Sequence, residues 1–304
     1  MSKQKVFPIL KMPRKRKRLK YIAVLPSLVT LMNGLCGFTA IILASRGFGL
    51  SWKPNLFPRA NISYFALAGY MIFLGMIADA MDGQVARLSK STSGFGAQLD
   101  SLCDVISFGI APAFLMLKLV EAHSHILQFE NSRLSMLFDR TVYLSAITYA
   151  MCAVIRLARF NVENKEDESA HLSFAGLPSP PAAGAIVSIV ILQQDFLPKL
   201  TDWSADFFRS CEIITVWTLP IISLIAGFLM VTRIPYPHVV NRILRGKKRF
   251  STFLLVLFVV LLMIWNIQLA MVFGFCSFVL FGIIRWLVLT IFLRKKKEIK
   301  QETL

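Results

Sequence analysis

The chain has 304 residues, of which 56% are apolar, more than the 45–50% that is usual for a soluble domain. Its mean hydropathy is +0.61, and several apolar runs are longer than about 18 residues, enough to cross a bilayer core about 30 Å thick. The formal net charge of +17 would suit a nucleic-acid binder, but the basic residues lie at the chain ends and between apolar runs. These features exclude a soluble domain and a nucleic-acid partner, and they indicate a polytopic membrane protein.

The apolar runs predict eight membrane-spanning helices. Only helices or closed barrels satisfy the backbone polar groups in lipid, and these runs lack the alternation of barrel strands. The predicted spans cover roughly residues 21–45, 62–85, 97–120, 141–160, 179–194, 212–232, 250–266 and 268–293.

The Lys and Arg residues between the spans predict their orientation. If the N-terminus lies in the cytoplasm, the cytoplasmic segments carry 25 of these residues and the opposite loops carry seven. Because cytoplasmic loops are enriched in Lys and Arg, this bias predicts a multi-pass protein with both termini in the cytoplasm. Basic clusters at 11–20 and 294–297 flank the first and last spans, where such clusters bind the anionic leaflet.

Four aspartates lie in or beside the second and third spans. Asp79 and Asp82 are three positions apart on one predicted helix, and Asp100 and Asp104 are four apart on the next, so each pair shares a helix face. The polar, glycine-bearing stretch 89–96 predicts a turn between antiparallel neighbours. The two pairs can therefore face each other across one seam, near the cytoplasmic surface.

The cost of burying these carboxylates indicates a cation site. Each Asp near the centre of a spanning helix costs about 2.5–3.5 kcal/mol, so four unpaired ones would cost about 10 kcal/mol. Arg87 alone cannot neutralise four carboxylates, whereas two divalent cations can. Oxygen ligands select Mg²⁺, Mn²⁺ or Ca²⁺, and such ions also polarise a diphosphate. A helix cap or a salt bridge would explain one of these residues, but it explains four poorly.

The residues from Asp79 to Asp104 form the pattern D-x2-D-G-x2-A-R-x8-G-x3-D-x3-D. This pattern resembles the signature of the CDP-alcohol phosphatidyltransferase family, and every fixed position is filled. The resemblance implies an all-α membrane fold whose core covers about the first six spans. It also implies a homodimer and a reaction in which an alcohol attacks a metal-clamped diphosphate and CMP leaves.

The resemblance further implies roles for individual residues. It makes Asp79, Asp82, Asp100 and Asp104 the metal ligands, and Asp104 also the catalytic proton acceptor. The positions that it implies in binding the CDP-diacylglycerol donor are Thr30, Asn33, Gly83, Ala86, Arg87, Ser93 and Gly96. For Gly83 and Gly96 there is a structural alternative, which is close packing of helices through small residues.

Three further stretches resemble the branch of the family that makes phosphatidylserine: 26–33, in which Ser27 replaces the more usual Asn, 100–109, and 156–161 followed by 174–180. The arginines Arg156 and Arg159 end the fourth span on the predicted cytoplasmic side. An arginine fork suits the carboxylate of serine, or a phosphate. The alternative is that both arginines are ordinary anchors at the membrane surface.

The sequence therefore predicts transfer of the phosphatidyl group from CDP-diacylglycerol to L-serine, with a divalent cation and with the site facing the cytoplasm. Glycerol 3-phosphate or inositol is the alternative acceptor, and an ion-coupled transporter with membrane carboxylates is the alternative class of protein. Four segments are expected: a basic cytoplasmic tail (1–20), a six-helix catalytic membrane core (21–232), a cytoplasmic loop with two further membrane helices (233–293) and a second basic cytoplasmic tail (294–304).

Overall fold

The computed structural model of the chain describes residues 24–47, 62–89, 94–129, 131–166, 174–199, 205–232, 234–236 and 261–302. Within these ranges the chain is almost entirely helical. The helices are α1 (Val24–Gly47), α2 (Tyr64–Ser89), α3 (Gly94–Asp104), α4 (Ala111–His123), α5 (Ser132–Glu166), α6 (Ser179–Ile191), α7 (Ala205–Val231) and α8 (Ile267–Glu302). Two short strands, β1 (Phe174–Ala175) and β2 (Pro235–Tyr236), precede α6 and follow α7.

Seven helical stretches of the described residues are long and apolar enough to cross a membrane. Six of them correspond to the first six predicted spans, and the seventh, Ile267–Leu287, corresponds to the eighth. Of the remaining predicted span, residues 261–265 are helical and 250–260 lie outside the described residues. The predicted class, an all-α polytopic membrane protein, is confirmed.

Two helix boundaries differ from the prediction. The helix α2 ends at Ser89 and α3 begins at Gly94, so the break between them is shorter than the predicted turn 89–96. At the other end of the chain, α8 continues to Glu302, and most of the predicted C-terminal tail is therefore helical.

The third span contains a π-helical turn, Val105–Ile110, that joins α3 to α4. Pro112 lies at the start of α4, and proline has no N–H with which to bond the carbonyl four residues before it. That carbonyl belongs to Phe108, and it accepts a hydrogen bond of 2.9 Å from the buried Tyr149 hydroxyl of α5. The turn thus fixes α3 against α5, which helps to position the aspartates of α3.

The helix α1 lies against α2, and it also approaches α3 and the π-helical turn through small residues. A side chain at Gly37 would come within 2.6 Å of the Cα atom of Ser107, and one at Gly34 within 2.9 Å of Cys103 Sγ. Ala40 and Ala44 are fully buried further along the same helix. This close approach brings the polar side chains of α1 within reach of the aspartates on both neighbouring helices.

The strands β1 and β2 pair antiparallel, with Phe174 opposite Tyr236. Gly176, at φ +93°, donates from its backbone N–H to Ile234 O at 2.9 Å, a conformation that glycine adopts without strain. A side chain there would lie 2.7 Å from Thr232 O. The pair therefore connects the segment before α6 to the segment after α7, a contact that the helical pattern of the sequence does not predict.

Candidate metal centre

Three of the four predicted aspartates form one compact group. Asp79 and Asp82 of α2 and Asp100 of α3 each offer a carboxylate oxygen, and these three oxygens lie within 4.8 Å of one another. Asp82 is buried and the other two side chains are half-buried. Asp82 Oδ2 and Asp100 Oδ1 are buried without a hydrogen-bond donor among the described residues. Three carboxylates this close repel one another strongly in an apolar setting, and oxygens so arranged suit a hard divalent cation.

Helix α1 holds one aspartate from each of its neighbours. The side chain of Asn33, which is fully buried, donates from Nδ2 to Asp104 Oδ1 at 2.9 Å. The Thr30 hydroxyl hydrogen-bonds to the Asp82 carboxylate. The backbone carbonyl of Asn33 accepts from Ser107 Oγ at 2.8 Å, which fixes this turn of α1 against the π-helical turn. Both predicted α1 residues therefore lie at the site, where they bond to the carboxylates.

Asp104 lies beside the three-carboxylate group and has different surroundings. Its carboxylate is close enough to those of Asp79 and Asp100 to repel them, but it is also bonded to Asn33. It is buried, at 9% exposure. The arrangement gives Asp104 one oxygen engaged by an amide donor and one oxygen for another partner.

Four of the predicted donor-binding residues lie near the break between α2 and α3. A side chain at Gly83 would meet nothing within 4 Å among the described residues, so the structure gives no support there to the helix-packing alternative. Ala86 and Arg87 follow in the last turns of α2, and Gly96 lies half-buried in the first turn of α3. Ser93 lies outside the described residues.

The two arginines of α5 make different contacts. Arg156 Nη1 donates to Ser179 Oγ at 2.8 Å, and its guanidinium is close enough to Asp104 for the two charges to attract. Arg159 Nη1 reaches Val231 O, at the end of α7, at 3.4 Å. Arg156 is therefore held near Asp104.

Sequence reasoning missed two polar partners at this site. Ser179 lies in the stretch 174–180 that carried the family resemblance, but its contact with Arg156 depends on the path of the chain between α5 and α6. Ser101 donates to Asn161 Oδ1 at 3.0 Å and so joins α3 to α5. In the sequence, Ser179 and Ser101 stand out only as polar residues in or beside a motif, and this position does not indicate which residue each would contact.

Comparison with known proteins decides the family. A family model described as CDP-alcohol phosphatidyltransferase matches residues 23–222, which include the four aspartates, Asn33, Arg156 and Ser179. The chain belongs to the CDP-alcohol phosphatidyltransferase family. The match runs from α1 into α7, whereas α8 lies beyond the matched residues.

Several similar proteins from different organisms share one name. A CDP-diacylglycerol–serine O-phosphatidyltransferase of Helicobacter pylori is 32% identical over 78% of this chain and 92% of its own length. One from Methanocaldococcus jannaschii is 30% identical over 74% of this chain and 79% of its own. One from Saccharomyces cerevisiae is 36% identical over 53% of this chain and 51% of its own. The family membership thus agrees with the pattern of aspartates on α2 and α3.

Proposed function

We propose that this CDP-alcohol phosphatidyltransferase moves the phosphatidyl group from CDP-diacylglycerol to L-serine, giving phosphatidylserine and CMP. The observation that carries the proposal is the convergence of Asp79, Asp82 and Asp100 within 4.8 Å on the family motif. The name shared by the relatives, which cover most of the chain, supports serine as the acceptor.

Asp79, Asp82 and Asp100 would hold the divalent cation, and Asp104 lies beside these three residues. Their hard oxygen atoms fit Mg²⁺ or Mn²⁺, and also Ca²⁺. When bound, such ions neutralise the diphosphate and make its phosphorus a better target for attack. Asp82 Oδ2 and Asp100 Oδ1 have no hydrogen-bond donor in the described part of the chain, and they would bind the cation.

Asp104 would act as the proton acceptor in this transfer. Its carboxylate would take the proton of the serine hydroxyl as the hydroxyl oxygen attacks the phosphorus of the phosphatidyl group. The bond from that phosphorus to the bridging oxygen breaks, and CMP leaves with that oxygen. The hydrogen bond from Asn33 leaves one Asp104 oxygen for this proton and holds the carboxylate in place.

The donor would lie over the open side of the site. The space beside Gly83 would take the CDP group at close range, since a side chain there would meet nothing within 4 Å among the described residues. The family resemblance implies Ala86, Arg87, Ser93 and Gly96 as further contacts of the donor. Thr30 and Asn33 would serve the donor through the aspartates to which they bond. On the other side of Asp104, Arg156 would contact the serine carboxylate or a phosphate, with Arg159 nearby.

We further propose that the site faces the cytoplasm, that both termini are cytoplasmic and that the protein is a homodimer. The distribution of Lys and Arg supports the orientation, and the family resemblance supports the dimer. The proposed catalytic core, 21–232, is close to the range that the family model matches.

A panel of acceptors tests the function directly. Purified protein in detergent, with CDP-diacylglycerol and Mg²⁺ or Mn²⁺, should release CMP on addition of L-serine and form phosphatidylserine. Glycerol 3-phosphate and inositol, which lack the amino acid group, should not replace it. Release of CMP with glycerol 3-phosphate or inositol, but not with L-serine, would make the serine assignment wrong. No release with any of the three would contradict the proposed transfer itself.

A further inference from the structure

Ser179 gives the guanidinium of Arg156 a buried partner. Arg156 lies in the last third of α5, and its Nη1 donates to Ser179 Oγ at 2.8 Å. Ser179 is 1% exposed, so this hydroxyl is sheltered from water. A serine hydroxyl is neutral and adds no charge to balance the half-buried guanidinium, whose nearby anion is Asp104. The contact therefore orients the guanidinium without satisfying its charge.

The rest of the Arg156 fork is left for another acceptor. A guanidinium has five N–H donors in a fixed plane, and the buried Nε of Arg156 has no hydrogen-bond acceptor among the residues that the structure describes. A buried donor without a partner is unfavourable. Because the fork matches a carboxylate in two parallel hydrogen bonds, the arrangement fits an acidic group of a ligand beside Asp104.

The segment before Ser179 is itself held on several sides. Gly176 N donates to Ile234 O at 2.9 Å and Leu177 N to Leu229 O at 3.0 Å, and these bonds connect it to β2 and to the end of α7. Pro178 is extended, and prolines occupy the first turn of α6, where proline restricts the backbone at no cost in hydrogen bonds. Ser179 is therefore a rigid point from which to hold a long side chain.

We propose that Ser179 is a positioning residue that sets the Arg156 guanidinium to bind the carboxylate of the acceptor amino acid. The proposal rests on the proposed function, in which L-serine is the acceptor. It assigns Ser179 no contact with the donor or with the reacting atoms. Loss of its hydroxyl should therefore weaken the binding of serine and leave the binding of CDP-diacylglycerol unchanged.

The variant Ser179→Ala tests this, with Ser188→Ala as the matched control. Ser188 is an equally buried serine on the same helix, but its hydroxyl donates to Ala185 O within α6. For Ser179→Ala we expect the KM for L-serine to rise at least about tenfold, which is the lower end of the loss expected for a hydrogen bond to a charged group. The KM for CDP-diacylglycerol and the cation requirement should stay at wild-type values, and Ser188→Ala should change neither KM.

A second measurement covers the case in which turnover of Ser179→Ala is too low for a KM. The serine concentration that gives half of the maximal thermal stabilisation, with CDP-diacylglycerol and cation present, should rise by the same factor. An unchanged serine dependence in Ser179→Ala, or an equal rise of both substrate KM values, would overturn the positioning role.

The failure of the function itself would look different. If the wild-type protein releases CMP with L-serine but Ser179→Ala keeps its KM, only the role of Ser179 is wrong. If the wild-type protein uses another acceptor and not serine, the proposed function is wrong, and the carboxylate partner of Arg156 is wrong with it.

Discussion

Asp100 and Asp104 lie one turn apart on α3, but the structure gives them different surroundings. Asp100 shares a space of less than 5 Å with Asp79 and Asp82, whereas Asp104 is held by Asn33 of α1. We therefore assign them different tasks, the holding of a cation to Asp100 and the acceptance of a proton to Asp104. The family resemblance implies that both residues are metal ligands and that Asp104 is also the proton acceptor, whereas the surroundings seen here favour one task for each.

Substitution of each by asparagine should separate the two tasks. Asp100→Asn and Asp104→Asn should each lower kcat at least about a hundredfold, because one loses a cation ligand and the other the proton acceptor. Both proteins should fold, since asparagine has nearly the same shape as aspartate. The difference should appear in cation binding, which Asp100→Asn should weaken and Asp104→Asn should largely keep, measured by Mn²⁺ titration of the protein without substrate.

Asp139→Asn is the control for this pair. Asp139 is an exposed aspartate of α5, toward the end of that helix that lies away from Arg156, and its substitution should leave kcat and Mn²⁺ binding unchanged. Substantial turnover in either Asp100→Asn or Asp104→Asn would contradict the assigned site. Equal loss of Mn²⁺ binding in both would contradict the division of tasks.

At the scale of helices, a second polar cluster connects α8 to the rest of the protein. Asp195 Oδ2, just after α6, accepts from the Tyr70 hydroxyl of α2 at 2.7 Å and from Gln268 Nε2 of α8 at 2.9 Å. Lys199 pairs with the other oxygen of Asp195 at 2.8 Å. Asp195 is 4% exposed, so the cluster satisfies a carboxylate that would be costly to bury alone. It fixes the start of a helix that lies beyond the family match.

The variant Tyr70→Phe should loosen this cluster and leave the chemistry intact. Loss of one donor to a buried carboxylate should lower the free energy of unfolding by about 1–3 kcal/mol, seen as a lower Tm in detergent. Tyr70 lies nine residues before Asp79, or about 13 Å along the helix, so the KM values for both substrates should not change. Tyr143→Phe is the control, because the Tyr143 hydroxyl bonds to Glu121 at an exposed position and should matter little. An equal Tm for Tyr70→Phe and wild type would contradict the stabilising role of the cluster.

The elements also show what the sequence could and could not predict. The convergence of Asp79 and Asp82 with Asp100 was predictable, because helical periodicity places Asp79 and Asp82 on one face of α2 and a short break brings α3 next to it. Because a charged side chain is costly inside a membrane, the sequence favoured a cation site over simple helix packing as the reason for these aspartates. This prediction needs only the spacing of the aspartates along each helix and the short connection between the two helices.

The contacts that the sequence did not predict join distant parts of the chain. The bond of Asn33 to Asp104 spans 71 positions, and the pairing of Phe174 with Tyr236 joins two strands of two residues each. The π-helical turn before Pro112 was hidden because proline is also common in the first turn of an ordinary helix. In each case the partner depends on how the helices pack, which hydropathy and spacing do not specify.

For the whole molecule, the carboxylate group sets a relation between cation and stability. Three carboxylates within 4.8 Å in a largely apolar bundle favour separation of α2 from α3, and a divalent cation that binds only the folded protein reverses this. At a hundred times its dissociation constant such a cation adds about 2.7 kcal/mol to the free energy of unfolding. We therefore expect Mg²⁺ or Mn²⁺ to raise the Tm of the wild-type protein in detergent, and a chelator to return it to the lower value. In Asp79→Asn the gain should shrink sharply, and the cation-free Tm should be higher than that of wild type because one repelling charge is gone. A cation-dependent Tm shift in Asp79→Asn equal to that of wild type would show that the ion binds elsewhere, and the convergence of α2 and α3 would then need another explanation.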